Sequence, residues 1–181
     1  MNAAQRTVET YIRAKDENRP YLMVSAFAED AVLEVVVNTG AISLPPTSYG
    51  LDSITDVLVR RFAQTYENVH TFCLASPPRT NHIGAFSCSW LVAMSDKEAR
   101  TPRVGCGRYS WLFRSNETRL AERLSITVDV MEILPIACLG PVMKWACDLP
   151  RPWCTSALAL ERAPRFDELG PIREHLSHAS A

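Results

Sequence analysis

Two arms with alternating apolar positions, separated by a polar turn, form the clearest pattern in the chain. The first arm, residues 86–94, places Phe86, Cys88, Trp90, Val92 and Met94 on one face, which is typical of a half-buried strand. The second arm, residues 104–113, places two glycines and then three aromatic residues on one face, namely Gly105, Gly107, Tyr109, Trp111 and Phe113. The pattern predicts a long hairpin whose aromatic face can hold a small, largely apolar molecule.

The segments around this hairpin predict helices before it and strands on both sides of it. Apolar residues at helical spacing predict helices over 3–17, 20–28 and 53–66, and β-branched or alternating residues predict strands over 31–37, 69–74 and 120–133. The order predicts an α+β fold, a cone-shaped barrel of a curved, mostly antiparallel sheet packed on three N-terminal helices.

A loop rich in glycine and proline interrupts this order at residues 39–50. Its apolar residues Ile42, Leu44 and Tyr49 are available to cover another part of the protein. The loop is therefore a candidate lid.

The amino-acid composition changes after Leu134, because six of the twelve prolines of the chain fall in the last 47 residues. We therefore predict a cone domain over 1–134 and a C-terminal extension over 135–181, with short helices at 142–149 and 172–178. Residues such as Trp145 and Trp153 make the extension too apolar for a free tail. It is expected to pack on the same domain or on a partner subunit.

Composition narrows the function classes. With 19 basic and 20 acidic residues the net charge is −1, so neither a nucleic acid nor a membrane is an expected partner. No apolar run approaches the roughly 20 residues that span a bilayer, and a cytoplasmic location is expected. The six cysteines form no CxxC pair and are expected to be reduced, with Cys147 and Cys154 as the alternative pair under oxidation.

Three parts of the sequence accompany this order of elements: Val8-Glu9-Thr10-Tyr11-Ile12, residues 26–34, and Gly50 with Ile54 and Phe62. Together with the order, they resemble the nuclear transport factor 2-like superfamily, and within it the SnoaL-like group. The resemblance covers residues 5–134 and implies the cone fold. It also implies a pocket for a small hydrophobic molecule, a homodimer and chemistry without a cofactor, since similar proteins include ketosteroid isomerase, scytalone dehydratase and polyketide cyclases.

Matching to ketosteroid isomerase places its oxyanion-hole tyrosine at Tyr11 and its second oxyanion-hole acid at about Tyr109. Its catalytic aspartate falls at Val35, so the isomerase mechanism does not carry over.

Judged from the residues alone, no carboxylate lies on the predicted apolar faces of the strands. His70 is therefore the candidate general base, and the alternative is a histidine packed in the core. Tyr11 and Tyr109 are candidate donors to an oxygen that gains negative charge, or packed core residues. The candidate ligand-binding residues are Trp90, Trp111, Phe86, Phe113, Val35 and Phe72.

Gly105 and Gly107 make room for a ligand or mark a bulge, and a bulge would turn Arg108 inward in place of Tyr109. His175 and His178 are spaced to share a metal, but two ligands are fewer than a zinc site needs, so no metal is expected.

Two functions remain open. The first is a cofactor-independent isomerase, dehydratase or cyclase acting on a small apolar carbonyl compound. The second is a non-catalytic binding or dimerisation module, which the missing inward carboxylate favours. A homodimer is expected through the convex face of the sheet, where Leu91 and Leu112 would otherwise be exposed.

Overall fold

The computed structural model describes residues 2–79 and 83–179, and it shows one curved sheet with helices on both of its faces. The strands are β1 (Phe27–Val37), β2 (Thr47–Tyr49), β3 (Tyr66–Cys73), β4 (Ala85–Asp96), β5 (Pro102–Phe113) and β6 (Ala121–Ile133). The helices are α1 (Ala3–Asp16), α2 (Leu51–Thr55, continued by a π-helical Asp56–Arg61 and by Phe62–Thr65), α3 (Leu139–Asp148), α4 (Ser156–Arg162) and α5 (Gly170–Ala179). Short 3₁₀ helices lie at Pro20–Ser25, Ile136–Cys138 and Asp167–Leu169.

The six strands form a single sheet in the order β2-β1-β6-β5-β4-β3. The β1–β6 pair is parallel and the other pairs are antiparallel. Because the sheet curves around α1 and α2, its concave face and these helices enclose an inner apolar core. The predicted α+β cone is confirmed.

A bulge shapes this sheet beside the two glycines of β5. Cys106 pairs with Val130 and Gly107 pairs with Val128, so Asp129 is the extra residue on β6. The parity of β5 is unchanged, which leaves Tyr109 buried in the inner core and Arg108 exposed. The parity of β6 does change, so Met131 rather than Val130 joins the inner core.

The C-terminal extension covers the convex face and creates a second, outer core. Leu91, Val104 and Cys106 of the sheet are buried there against Val142 and other apolar residues of α3 to α5. Trp145 anchors α3 by donating a hydrogen bond from Nε1 to the backbone oxygen of Ala159, 3.1 Å away. The expectation that Leu91 would be exposed is wrong, since this chain buries it completely, whereas Leu112 stays 40% exposed.

The extension also pairs with the edge strand β3. The backbone N–H of Cys73 donates to the Pro152 oxygen at 2.6 Å, and the N–H of Cys154 donates to the Cys73 oxygen at 3.0 Å. Trp153 then donates from Nε1 to Glu9 of α1 at 2.6 Å. These contacts join the extension to both the sheet and the first helix.

The predicted side-chain directions on β3 are wrong. Phe72 and Leu74 lie in the outer core, while Val69 and Cys73 of the same strand lie in the inner core. His70 shares the outer face with Phe72. The second predicted helix is shorter than expected, because Pro20–Ser25 is a 3₁₀ helix and β1 already begins at Phe27.

Candidate functional site

The inner core contains a closed aromatic cluster built on α1 and β5. Tyr11 touches Phe27, Tyr109 and Trp111 edge-on, with ring centroids 5.8, 6.1 and 5.4 Å apart. Trp90 stacks on Tyr109 at 5.6 Å. The cluster thus brings together the two candidate tyrosines and both candidate tryptophans.

The other predicted ligand-binding residues are spread more widely. Val35 and Phe113 are buried in the inner core, and Phe113 stacks on Trp111. Phe86 is only half-buried and contacts Trp153 of the extension, with centroids 6.0 Å apart. Phe72 lies on the other side of the sheet and cannot line a cavity in the cone.

A small cavity of about 50 Å³ lies at one end of this cluster. Trp90, Val92, Tyr109 and Met131 form part of its wall, and Ile42 and Leu44 of the loop before β2 also line it. This volume holds only a few water molecules, so a larger ligand requires the loop to move.

The polar groups of the wall are few and are mainly donors. Burial raises the pKa of Tyr11 well above its usual value near 10, and a hydrogen bond from the Tyr109 hydroxyl offsets this in part. Burial raises the pKa of Tyr109 as well. Both phenols are therefore neutral at physiological pH. The Nε1 donor of Trp90 is buried and has no hydrogen-bond partner in the part of the chain that the structure describes.

Lys15 is a wall residue that the sequence reading missed. Its Nζ lies 2.8 Å from Asp16 Oδ1 and 2.7 Å from Thr71 Oγ1, and 4.8 Å from the centre of the Phe62 ring. Asp16 in turn accepts hydrogen bonds from the backbone N–H and the hydroxyl of Thr71. The signal was present, because Lys15 follows Tyr11 by four residues on the buried stripe of α1.

His70 lies outside this cavity, beneath the C-terminal extension. Its Nδ1 accepts a hydrogen bond from Arg151 Nη1 at 2.9 Å, so the ring proton of the neutral imidazole is on Nε2. Nε2 lies 3.9 Å from the Sγ of Cys147, the exposed member of six free cysteines. Burial, followed by the charge of Arg151, lowers the pKa of His70.

A larger open groove of about 450 Å³ lies on the outside of the cone, between the Pro20–Ser25 helix and α2. Tyr21 and Tyr49 border it and are 67% and 74% exposed. None of the predicted site residues lines this groove. In the described residues, no cluster of His, Cys, Asp and Glu is arranged to hold a metal ion.

Known structures resemble this arrangement of sheet and helices, although no protein-family model and no curated protein sequence matches the chain. A nuclear transport factor 2-like superfamily protein from Salmonella enterica superposes with a TM-score of 0.55 at 13% identity, over 70% of this chain and 88% of that one. The chain has the nuclear transport factor 2-like fold. Such low identity establishes the fold alone.

Two further structures with this fold differ in what they do. A type 2 hexachlorocyclohexane dehydrochlorinase gives a TM-score of 0.58 at 12% identity, covering 74% of this chain and 87% of that one. A computationally designed 17-OHP binder gives 0.54 at 12% identity, covering 74% and 100%. The fold thus accommodates both an enzyme and a binding protein. Across residues 2–79 and 83–179, every helix is too short or too polar to cross a bilayer.

Proposed function

We propose that the cone binds a small, mainly apolar molecule that carries a hydrogen-bond acceptor. The observation that supports this most directly is the buried Nε1 donor of Trp90, a residue of the cavity wall, which has no partner among the described residues. An unpaired buried donor costs about 1–3 kcal/mol, a cost that a ligand oxygen can remove. Tyr11 and Lys15 add further donors to the same wall.

The charge of the wall favours a neutral ligand over an anionic one. Lys15 is already paired with Asp16, and the side chains of both residues are only 6% exposed. A carboxylate entering the cavity would lose its water without gaining an unpaired cation. A ketone or a similar neutral oxygen compound would need to accept only one or two hydrogen bonds.

A panel of compounds with one shared skeleton tests this proposal. Acetophenone supplies an acceptor, ethylbenzene lacks one and benzoate adds a charge; binding is measured by isothermal titration calorimetry. We expect acetophenone to bind most tightly. Binding by none of the three would refute the proposed pocket, whereas equal binding of acetophenone and ethylbenzene would refute only the role of the donors.

Changing Trp90 to Phe keeps a six-membered aromatic ring and removes the pyrrole ring that carries the Nε1 donor. We expect affinity for acetophenone to fall about tenfold, equivalent to about 1.4 kcal/mol, and affinity for ethylbenzene to stay constant. Trp145→Phe is the matched control, because Trp145 lies in the outer core and uses its Nε1 within the protein. This control should lower stability and leave affinity unchanged.

A second candidate function is a cofactor-independent isomerase, dehydratase or cyclase, and the Lys15–Asp16 pair favours it. Tyr11 and Tyr109 would stabilise a developing oxyanion, the Asp16 carboxylate would accept the substrate proton, and the Lys15 ammonium paired with it would donate a proton in return. His70 cannot act on a ligand in the cone, because it lies on the opposite face of the sheet. Once turnover of any substrate is found, Lys15→Met should abolish it, while His70→Ala should retain it.

We still propose a homodimer, but through a smaller part of the convex face than the sequence predicts. The extension covers the part of the convex face near Leu91, but Val36 and Leu112 stay exposed on the part formed by β1, β6 and β5. A second copy would bury these two side chains. Light scattering at micromolar concentration gives the mass, and Leu112→Glu should shift a dimer to a monomer.

A further inference from the structure

The loop at residues 38–46, which we call the covering loop, contributes two apolar side chains to the cavity wall. Ile42 and Leu44 lie in the cavity wall and are only partly buried. The ends of the loop are fixed by backbone hydrogen bonds, from Asn38 N–H to the Val128 oxygen at 2.9 Å and from Val35 N–H to the Pro46 oxygen at 2.8 Å. The middle of the loop is not part of any helix or strand.

Arg103 of β5 reaches the middle of the covering loop. Its Nη1 donates a hydrogen bond to the backbone oxygen of Ala41 at 2.5 Å. Ala41 directly precedes Ile42. Among the hydrogen bonds of the described residues, this is the one that joins the centre of the loop to another element.

The Arg103 guanidinium is itself held from two sides. Nη2 donates to Asp96 Oδ2 at 3.2 Å, and the guanidinium lies 5.3 Å from the centre of the Tyr66 ring. Asp96 is fixed in turn, because its Oδ1 accepts from the backbone N–H groups of Glu98 and Ala99 at 3.0 and 2.8 Å. The turn after β4 therefore fixes the direction of the guanidinium, whose Nη1 also lies 3.4 Å from the Tyr66 hydroxyl.

One nitrogen of the guanidinium has no hydrogen-bond partner among the described residues. This atom, Arg103 Nε, is buried and finds no acceptor within residues 2–79 and 83–179, although the side chain as a whole is 14% exposed. An unpaired donor of a charged group costs free energy, which is recovered when water reaches it.

We infer that Arg103 is a positioning residue that holds the covering loop over the cavity and thereby sets the rate at which a ligand enters and leaves. This inference rests on the proposed binding function for its consequence, but the loop contact can be tested without a ligand. Arg103 does not touch the ligand in this scheme. It acts through Ala41 on Ile42 and Leu44, so it should affect rates more than affinity.

Hydrogen exchange measured by mass spectrometry tests the loop directly. In Arg103→Met the amide of Ala41, which donates to Thr39 Oγ1 at 3.2 Å, should exchange at least tenfold faster than in the unchanged protein, with the amides of β5 and β6 unaffected. Arg103→Lys keeps a charge for Asp96 but offers no second Nη, so it should give an intermediate rate. Arg108→Met, on the exposed face of the same strand, is the matched control and should change nothing.

Exchange of the Ala41 amide that is unchanged in Arg103→Met, or exchange that rises equally throughout the sheet, would overturn the inference. Stopped-flow fluorescence with acetophenone then gives the consequence for binding. Association and dissociation should both quicken about tenfold, with the dissociation constant changed less than threefold. If acetophenone does not bind the unchanged protein, the proposed function fails, and the exchange result still decides the role of Arg103.

Discussion

Gly107 shows how closely single residues are fitted at the centre of the sheet. A Cβ at this position would lie 1.8 Å from the Thr127 oxygen and 2.7 Å from Cζ2 of Trp90. Neither the backbone of β6 nor the stacked indole can move away without disturbing the aromatic cluster. The glycine therefore makes space for a protein ring rather than for a ligand.

Gly107→Ala should accordingly destabilise the protein by about 2–3 kcal/mol, as overpacking in a dense core does. Urea denaturation followed by circular dichroism measures the change. Gly140→Ala is the control, since a Cβ on this α3 residue meets nothing within 4 Å, and it should be neutral or slightly stabilising. Equal effects of the two substitutions would contradict the close contact at Gly107.

His70 gives the protein a pH-dependent stability. Its pKa is lowered in the folded state by burial and by Arg151, with Asp16 opposing in part, while Cys147 is the other neighbour. The unfolded chain therefore binds the proton more readily. The contribution of His70 to the free energy of unfolding should be fully present above the pKa of His70 in the unfolded chain, near 6.5. It should decrease as the pH falls from there through the pKa of His70 in the folded protein.

Thermal unfolding followed between pH 7.5 and 5.5 measures this loss. His70→Gln removes the titrating group and should flatten the profile over this window. Arg151→Met removes the opposing charge and should weaken the dependence without abolishing it, because burial remains. A wild-type profile that is already flat would show that the folded and unfolded pKa values of His70 are equal.

At the level of elements, the strands were easier to locate than to orient. Arg108 and Ser110 interrupt the apolar pattern on the outer face of β5, and Gly107 interrupts it on the inner face. The alternation in β4 and β5 nevertheless indicates the inner face correctly. In β3 both faces are apolar, since the outer one packs against the extension. When both faces of a strand are buried, the period of apolar residues cannot show which face lines the inside of the cone. The prediction that Phe72 faces inward therefore fails.

The polar residues of the candidate site are difficult to predict from the sequence for a related reason. Helical spacing places Lys15 on the buried stripe of α1, yet long cationic side chains usually extend to water from such positions. Its partners Asp16 and Thr71 come together only when α1 packs on β3. A contact between residues 55 positions apart has no signature in local sequence.

Substitutions on the two sides of the sheet should separate stability from binding. Phe72→Ala, in the outer core, should cost about 3–4 kcal/mol and leave affinity for acetophenone unchanged. Val92→Ala, in the cavity wall, should change that affinity as well as stability. Calorimetric titration at a temperature where both variants are folded distinguishes the outcomes. Altered affinity in Phe72→Ala would place the binding site near the outer core instead.

For the molecule as a whole, the C-terminal extension is part of the folded unit. Ending the chain after Leu134 would uncover Phe72, Leu91 and Val104, which are fully buried. We expect this truncated chain to self-associate and to bind a hydrophobic dye, as measured by light scattering and fluorescence. A truncated chain that is monodisperse and does not bind the dye would show that the convex face is stable in water without its cover.

The pairing of the extension with β3 also has a consequence for biosynthesis. The ribosome releases β3 long before residues 152–154, which protect its free edge, and β1 must wait for β6 before it gains its parallel neighbour. Until the last helices emerge, a nascent chain therefore presents an unprotected strand and an apolar sheet surface to its surroundings. The quantity of folded protein in a cell should then depend on how quickly synthesis passes the proline-rich stretch at 135–152, and on chaperones that shield β3 during that interval.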